Sequence, residues 1–184
     1  MENQDFVRIL AISGSLRRAS SNSALVAAVA RLAPQTVDVS IYRELDALPP
    51  FNPDLDGDDA PAAVSRFRAA LQACGGVLIS SPEYAHGVPG VVKNALDWVV
   101  GSGELVDKPI ALINASGRAK QAWASLAETL AVMSALVIPE ASITVSLQST
   151  TLDANGIIRN AELATALRSA IEALTFAARR AHVA

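Results

Sequence analysis

Short apolar runs alternate along most of the chain with longer segments of helical spacing. The apolar runs have the length of β-strands and lie at residues 6–13, 37–42, 76–81, 109–116 and 142–147. The segments between them place apolar residues three or four positions apart, as in Leu25, Val29 and Leu32, which is typical of an amphipathic helix. The last such segment follows Asn160, a residue type favoured at helix N-caps. The pattern therefore predicts five strands alternating with helices.

Strands that alternate with helices are typical of a parallel sheet with helices on both faces. For five strands, the commonest doubly wound order is 2-1-3-4-5, and ligands bind where this order reverses, between the first and third strands. A chain of 184 residues has the length of about one domain. We therefore expect a single α/β domain over residues 1–184, with a ligand site at the carboxyl ends of its first and third strands.

Composition and charge exclude several classes of protein. Hydrophobic residues make up 51% of the chain and charged residues 18%, which is a globular rather than a disordered composition. The net charge of −3 gives no reason to expect binding to nucleic acid or to a membrane. The first residues do not form the basic and apolar regions of a signal peptide, so we expect a cytoplasmic protein. The single cysteine, Cys74, lies on an apolar helical pattern that predicts burial.

The segment SGSLRRASSN, residues 13–22, falls between the first predicted strand and the first predicted helix. The start of a helix presents unpaired backbone N–H groups and partial positive charge, which suit a phosphate. The side chains that can add hydrogen bonds to it are Ser13, Ser15, Arg17, Ser20 and Asn22. The segment matches neither GxGxxG nor GxxxxGK(S/T), which favours one terminal phosphate over a pyrophosphate or an NTP. Alternatively, the serines only cap the helix and the arginines are solvated.

A second candidate segment, SPEYAHGVPGVVKNALDW at residues 81–98, follows the third predicted strand. Its prolines and glycines predict a rigid turn, whose backbone polar groups can read the edge of a flat heterocycle. The next helix is expected to begin near Pro89 or Gly90. We interpret Glu83 as a carboxylate that braces the loop, and Asp97 as a carboxylate on the helix surface.

Together, GSLRRASSN and PEYAHGVPGVVKNALDW resemble the NAD(P)H-dependent FMN reductase family of flavodoxin-like proteins. Members typically carry a GS-x-R-x-x-S-x-N phosphate loop and a PEYN-x-S-x-PG-x-LKNA-x-DW loop, and the family fold spans nearly this whole chain. The resemblance implies a flavodoxin-like α/β fold, FMN as cofactor and NADPH or NADH as co-substrate. It also implies that the flavin, rather than a catalytic side chain or a metal, carries the hydride chemistry. The FMN phosphate would lie on Ser15, Arg17, Ser20 and Asn22.

The resemblance further indicates which residues lie beside the isoalloxazine ring. They are Pro82, Glu83, Tyr84, Ala85, His86 and Gly87 in the second segment, and Ser116, Gly117 and Arg118 after the fourth strand. Ala85 and Gly87 stand where the family usually has asparagine and serine. The third segment has the single Gly117 where the family often has a glycine pair.

These observations predict an FMN-dependent oxidoreductase that passes electrons from NADPH or NADH to flavin, a quinone or a similar small acceptor. Two alternatives stay open: a flavodoxin-like electron carrier, and a non-catalytic flavin- or nucleotide-binding protein. The helix within residues 88–100 is apolar around most of its circumference, with Lys93, Asn94 and Asp97 as a narrow polar stripe. Such a helix predicts the interface of a homodimer or homotetramer. The alternative is that the irregular segment at residues 42–61 folds over this helix within one chain.

Overall fold

A computed structural model describes residues 6–57, 59–147 and 153–183 of the chain. The strands in these ranges are β1 Val7–Ser13, β2 Val37–Tyr42, β3 Gly76–Ser80, β4 Pro109–Asn114, β5 Leu136–Val137 and β6 Ile143–Thr144. The α-helices are α1 Ser21–Leu32, α2 Ala62–Gln72, α3 Gly90–Val100, α4 Lys120–Val132, α5 Ala154–Arg159 and α6 Ala161–Val183. Strands and helices thus alternate from β1 to α4, as the apolar pattern predicts.

The strands form one parallel sheet in the order β2-β1-β3-β4-β5, with β6 also paired to β4. The predicted order 2-1-3-4-5 is confirmed. In this order β1 pairs on both sides, because Ile9 lies opposite Val39 of β2 and opposite Gly76 of β3. The strand order reverses at β1, because β2 is added on one side of it and β3 on the other. A crevice for a ligand therefore lies at the carboxyl ends of β1 and β3.

Helices cover both faces of the sheet and form a separate apolar core on each. Leu10 and Ile12 of β1 pack in the core that contains residues of α2, α3 and α4. Ile9 and Ala11, which point to the opposite face, pack with residues of α1 and α6. The central strands β3 and β4 are buried along their whole length, which explains why their sequences are continuous apolar runs.

The predicted fifth strand at residues 142–147 is only partly correct. Two short strands, β5 and β6, occupy the position beside β4, and the 3-10 turn Pro139–Ala141 lies between them. Pro139 has no N–H group to donate to a strand ladder. Across this gap the N–H of Leu112 in β4 donates instead to the hydroxyl of Ser142 at 3.1 Å. The predicted strand therefore corresponds to β6 alone, and β5, which precedes Pro139, was not predicted.

Several local predictions are confirmed. Pro89 is the N-cap of α3, and the side-chain oxygen of Asn160 accepts a hydrogen bond from the N–H of Leu163 at 3.0 Å. Cys74 is buried, and this burial raises the pKa of its thiol although the nearby Lys108 acts to lower it. None of the helices in the described ranges combines the length and apolar character that a membrane crossing needs.

The described part of the connection from β2 to α2, residues 43–57 and 59–61, covers one side of α3. The main-chain oxygen of Pro49 accepts hydrogen bonds from Nδ2 of Asn94 at 2.9 Å and from Nε1 of Trp98 at 2.8 Å. The N–H of Phe51 donates to Oδ1 of Asn94 at 2.8 Å, and its ring meets that of Trp98 edge-on at a centroid distance of 5.0 Å. Trp98 is thus fully buried within one chain. The structure shows the alternative in which this segment folds over the helix.

Candidate functional site

The loop that joins β1 to α1 is held by its own serine side chains. Oγ of Ser13 lies 2.9 Å from Oγ of Ser23 and accepts from the N–H of Ser15 at 3.4 Å. Oγ of Ser15 accepts from the N–H of Arg17, also at 3.4 Å. The two N–H contacts are long for hydrogen bonds. A phosphate is a stronger, charged acceptor and can therefore replace them.

Ser20 and Asn22 both have structural partners in the protein. Oγ of Ser20 caps α1 by accepting from the N–H of Asn22 at 3.2 Å and of Ser23 at 3.5 Å. Oδ1 of Asn22, a buried side chain, accepts from the hydroxyl of Ser80 at 2.9 Å and so links α1 to the end of β3. Because these contacts use acceptor oxygens, the Ser20 hydroxyl hydrogen and the Asn22 amide hydrogens remain donors for a ligand. Capping and phosphate binding are therefore compatible here.

Gly14 brings this loop close to the start of the next one. A Cβ atom at Gly14 would lie 2.6 Å from Cγ2 of Val92 and 2.7 Å from Oγ of Ser81. The N–H of Gly14 also donates to the main-chain oxygen of Ser80 at 2.8 Å. Such an approach leaves no room for a side chain. The β1–α1 loop and the β3–α3 loop, residues 81–89, therefore lie side by side at the predicted crevice.

The β3–α3 loop contains a tight turn. The N–H and C=O of Tyr84 pair with the C=O and N–H of Gly87 at 3.1 and 2.9 Å. The two residues between them have positive φ angles, 49° at Ala85 and 61° at His86. Two successive positive φ angles define a type I′ turn, which favours Asn-Gly. The turn uses the backbone of Tyr84 internally and leaves its ring, with the residue 53% exposed, free for a ligand.

Glu83 braces this loop against α4. Its Oε2 accepts from the N–H of Ala122 at 2.8 Å, and its Oε1 lies 3.3 Å from Nδ1 of His86. Ala122 belongs to the first turn of α4, so the carboxylate satisfies an N–H group without an intrahelical partner. Asp97 pairs with Lys93 on the surface of α3. Both interpretations from the sequence, Glu83 as a brace and Asp97 as a surface carboxylate, are confirmed.

The third loop, residues 115–119, is folded around Asn114 at the end of β4. Oδ1 of this buried side chain accepts from the N–H of Ser116 at 3.0 Å, and its Nδ2 donates to the main-chain oxygen of Ala119 at 3.0 Å. Gly117 has no positive φ angle, so its backbone needs no glycine. Sequence reasoning missed Asn114, and the only signal was a polar residue at the end of an apolar run.

The structure brings the predicted site residues to one edge of the sheet with different degrees of exposure. The buried members are Ser15, Ser20 and Asn22; the half-buried members are Ser13, Pro82, Glu83 and Gly87; the exposed members are Arg17, Tyr84, Ala85, His86, Ser116, Gly117 and Arg118. No group of three or more potential metal ligands occurs in the part of the chain that the structure describes. The donors at the start of α1 fit a phosphate, and the exposed members of the second and third loops fit the larger, uncharged part of a ligand.

Comparisons with known proteins agree with this geometry. The family model described as NADPH-dependent FMN reductase matches residues 7–150. An NAD(P)H-dependent FMN reductase of Pseudomonas aeruginosa is 31% identical over 181 residues, an alignment that covers 96% of this chain and 97% of the relative. A probable NADPH:quinone oxidoreductase of Oryza sativa subsp. japonica is 39% identical over 117 residues, which cover 60% of this chain and 57% of that relative.

A solved structure also superposes over nearly the whole chain. FerB from Paracoccus denitrificans, a flavoenzyme NAD(P)H:(acceptor) oxidoreductase, gives a TM-score of 0.76 at 26% identity. The superposition covers 95% of this chain and 98% of that one. The predicted flavodoxin-like fold, the oxidoreductase class and FMN as cofactor are confirmed by these comparisons. The chain belongs to the NADPH-dependent FMN reductase family.

Proposed function

We propose that this chain holds one FMN in one domain and uses it to pass electrons from NADPH or NADH to a quinone or a similar small acceptor. The observation that carries the proposal is the β1–α1 loop. The N–H groups of Ser15 and Arg17 are held only by long contacts to serine hydroxyls, and the Arg17 side chain is exposed. A phosphate there gains helix N-terminal hydrogen bonds and a charge-assisted bond from the guanidinium.

We place the isoalloxazine ring between the second and third loops. The exposed ring of Tyr84 supplies an aromatic surface, and the N–H groups of Ala85 and His86 take no part in the Tyr84–Gly87 pair. Glu83 joins the second loop to the start of α4 and so keeps the second and third loops at a constant separation. When bound, FMN supplies the hydride chemistry, and the chain orients it and its reaction partners.

The choice of a quinone as acceptor is supported by the name of the rice relative, and that of a broader acceptor class by the name of the Paracoccus structure. The same names favour an enzyme over an electron carrier or a non-catalytic binding protein. Since one exposed flavin face would serve donor and acceptor in turn, NADPH oxidation with a quinone should follow ping-pong kinetics. Intersecting initial-rate lines would contradict a shared face. FMN binding without any NADPH oxidation would favour the non-catalytic alternative.

Fluorescence titration with FMN and riboflavin tests the site. Riboflavin, which lacks the phosphate, should bind far more weakly than FMN. Arg17→Ala should weaken FMN by about 1.5–3 kcal/mol, the range for a charged hydrogen bond. Arg31→Ala is the control, because Arg31 is exposed at the far end of α1 and bonds Asn155 there. Equal affinity for riboflavin and FMN would show that the β1–α1 loop does not hold the phosphate.

We also propose a homodimer or homotetramer in the cytoplasm. The β2–α2 connection covers Trp98, so an interface would instead use exposed apolar side chains at the end of α3 and in the segment that follows it. Val100, the last residue of α3, is 59% exposed, and Val106 is 52% exposed. Light scattering should give a mass of at least twice the 19.1 kDa of one chain. Val100→Lys should lower that mass. A single-chain mass that FMN does not change would contradict the assembly.

A further inference from the structure

A second concave site lies beside the β1–α1 loop, on the side that faces β2. It is a pocket of about 330 Å³ between this loop, α1 and the residues that end and follow β2. Pockets of this size accept small molecules, and one phosphate group cannot fill it. The polar side chains of its lining near the loop are Ser13, Ser15, Ser23, Arg17, Arg18 and Arg43. The pocket therefore has room for a ligand fragment in addition to the FMN phosphate.

Three arginines, Arg17, Arg18 and Arg43, line this one pocket. Among the described residues, none of the three forms an ion pair. They gather although the chain as a whole has a net charge of −3. The same lining holds one carboxylate, that of Asp46, so positive charge remains in excess. Like charges around one cavity repel one another, and a bound anion reduces that repulsion. The planar guanidinium fork matches a phosphate group in particular.

The floor of the pocket has the opposite character. It is apolar, with Val26 and Ala27 of α1 on one side and Ile41 and Leu45 on the other. Tyr42 also belongs to the lining, but its ring packs against Phe67 in the core on the other face of the sheet, and its hydroxyl is buried away from the pocket. An apolar floor beside a basic, hydroxyl-bearing rim suits a nucleotide, whose base is flat and largely apolar and whose phosphate is charged.

We propose that this pocket binds the adenosine end of NADPH, with the 2′-phosphate on Arg18 and Arg43, while Arg17 serves the FMN phosphate. The identity of the ligand rests on the proposed function, which requires a reduced nicotinamide as electron donor. NADPH differs from NADH only by the 2′-phosphate, so these two arginines give the site its preference for NADPH. The carboxylate of Asp46, also in the lining, can accept a hydrogen bond from a ribose hydroxyl.

Calorimetric titration of the FMN-loaded protein tests the pocket without turnover. The probes are 2′,5′-ADP, which carries the 2′-phosphate, and 5′-AMP, which lacks it. We expect 2′,5′-ADP to bind at least about tenfold more tightly than 5′-AMP, the lower end for one charged hydrogen bond. Arg18→Gln and Arg43→Gln should each weaken 2′,5′-ADP by about fivefold or more, less than a buried contact because both groups are exposed, and leave 5′-AMP unchanged. Arg31→Gln, at the other end of α1, is the matched control and should change neither.

Three results would overturn the proposal: equal affinity for the two probes, Arg43→Gln indistinguishable from Arg31→Gln, or binding of 2′,5′-ADP only to FMN-free protein with FMN displacing it. The last result would show that the pocket is the FMN phosphate site itself. Flavin absorbance is read in the same samples. Failure to load FMN would therefore count against the proposed function, and titration of the FMN-free protein with both probes would still decide the pocket.

Discussion

The β2–α2 connection and the β3–α3 loop both leave the carboxyl edge of the sheet, but the protein holds them in opposite ways. The connection is attached through ion pairs of Arg68 and through aromatic rings. Arg68 of α2 donates to the main-chain oxygen of Trp98 at 2.6 Å and pairs with Asp56 and with Glu104, whose side chain is only 2% exposed. Phe51 and Pro49 complete the attachment on Trp98.

The β3–α3 loop has no buried ion pair among its described contacts. Its turn is closed by two backbone hydrogen bonds and two left-handed residues, and the side chain of His86 is 80% exposed. Glu83 is its side-chain link to α4. A loop built like the connection covers the core and cannot contact a ligand without repacking. A loop built like the turn keeps free surface beside a rigid scaffold, which is where binding residues concentrate.

The largest loss of stability is expected from Arg68→Met, which removes the ion pairs that attach the connection. This change removes the cationic partner of the buried Glu104 carboxylate and of the half-buried Asp56 carboxylate. Because Glu104 keeps hydrogen bonds from Ser102 and Gln72, the free energy of unfolding should fall by about 3 kcal/mol, the lower end of the range for a broken buried pair. Arg66→Met removes an exposed pair with Glu44 and should cost less than about 1 kcal/mol. Urea unfolding of both variants measures the difference. If the two unfold at the same urea concentration, the buried charges do not hold the connection.

In the turn of the β3–α3 loop, by contrast, a substitution is expected to increase the stability of the protein. Ala85 has a left-handed backbone, which costs an alanine about 1–2 kcal/mol and an asparagine less. Ala85→Asn should therefore raise the free energy of unfolding by up to about 1 kcal/mol. Ala85→Val, with a β-branched side chain, should lower it by about the same amount. A loss of stability in Ala85→Asn would contradict the left-handed turn.

The smallest effect is expected at Tyr42, where the connection begins. Burial raises the pKa of its hydroxyl, and Glu44 raises it further, against the lowering effect of Arg66. The unfolded tyrosine loses its proton near pH 10.0, before the folded one does. The stability due to this proton is present below that pH and is lost as the pH rises through the folded pKa.

Tyr42→Phe should therefore reduce the fall in unfolding free energy between about pH 9 and pH 11. Chemical denaturation at several alkaline pH values measures this fall. Tyr84→Phe, which removes an exposed hydroxyl from the turn, is the matched control. If Tyr42→Phe loses stability with pH as steeply as the unmodified chain, the buried hydroxyl does not contribute to the alkaline loss.

The same contrast explains what the sequence could predict. Strands buried on both faces are continuous apolar runs, so the first four strands and the strand order could be inferred, whereas β5 was missed. Polar residues after β1 and β3 indicated the candidate site. The sequence offered the attachment of the connection only as the alternative to a subunit interface. It could not decide between them, because Trp98 and Pro49 are distant in sequence and their contact leaves no periodic signal. The type I′ turn was also missed, since Ala85 and His86 lack the Asn-Gly signature. Arg43 became a candidate only when the fold placed it near Arg18.

Gly14 has a consequence for engineering this protein. A single added carbon atom there would collide with both Val92 and Ser81. The β1–α1 loop and the start of the β3–α3 loop therefore depend on each other's shape. A β1–α1 loop transplanted from another protein must carry glycine at this position, or be transplanted together with its own β3–α3 loop and the first turn of α3. A single β1–α1 loop grafted without glycine at this position will therefore fail to fit.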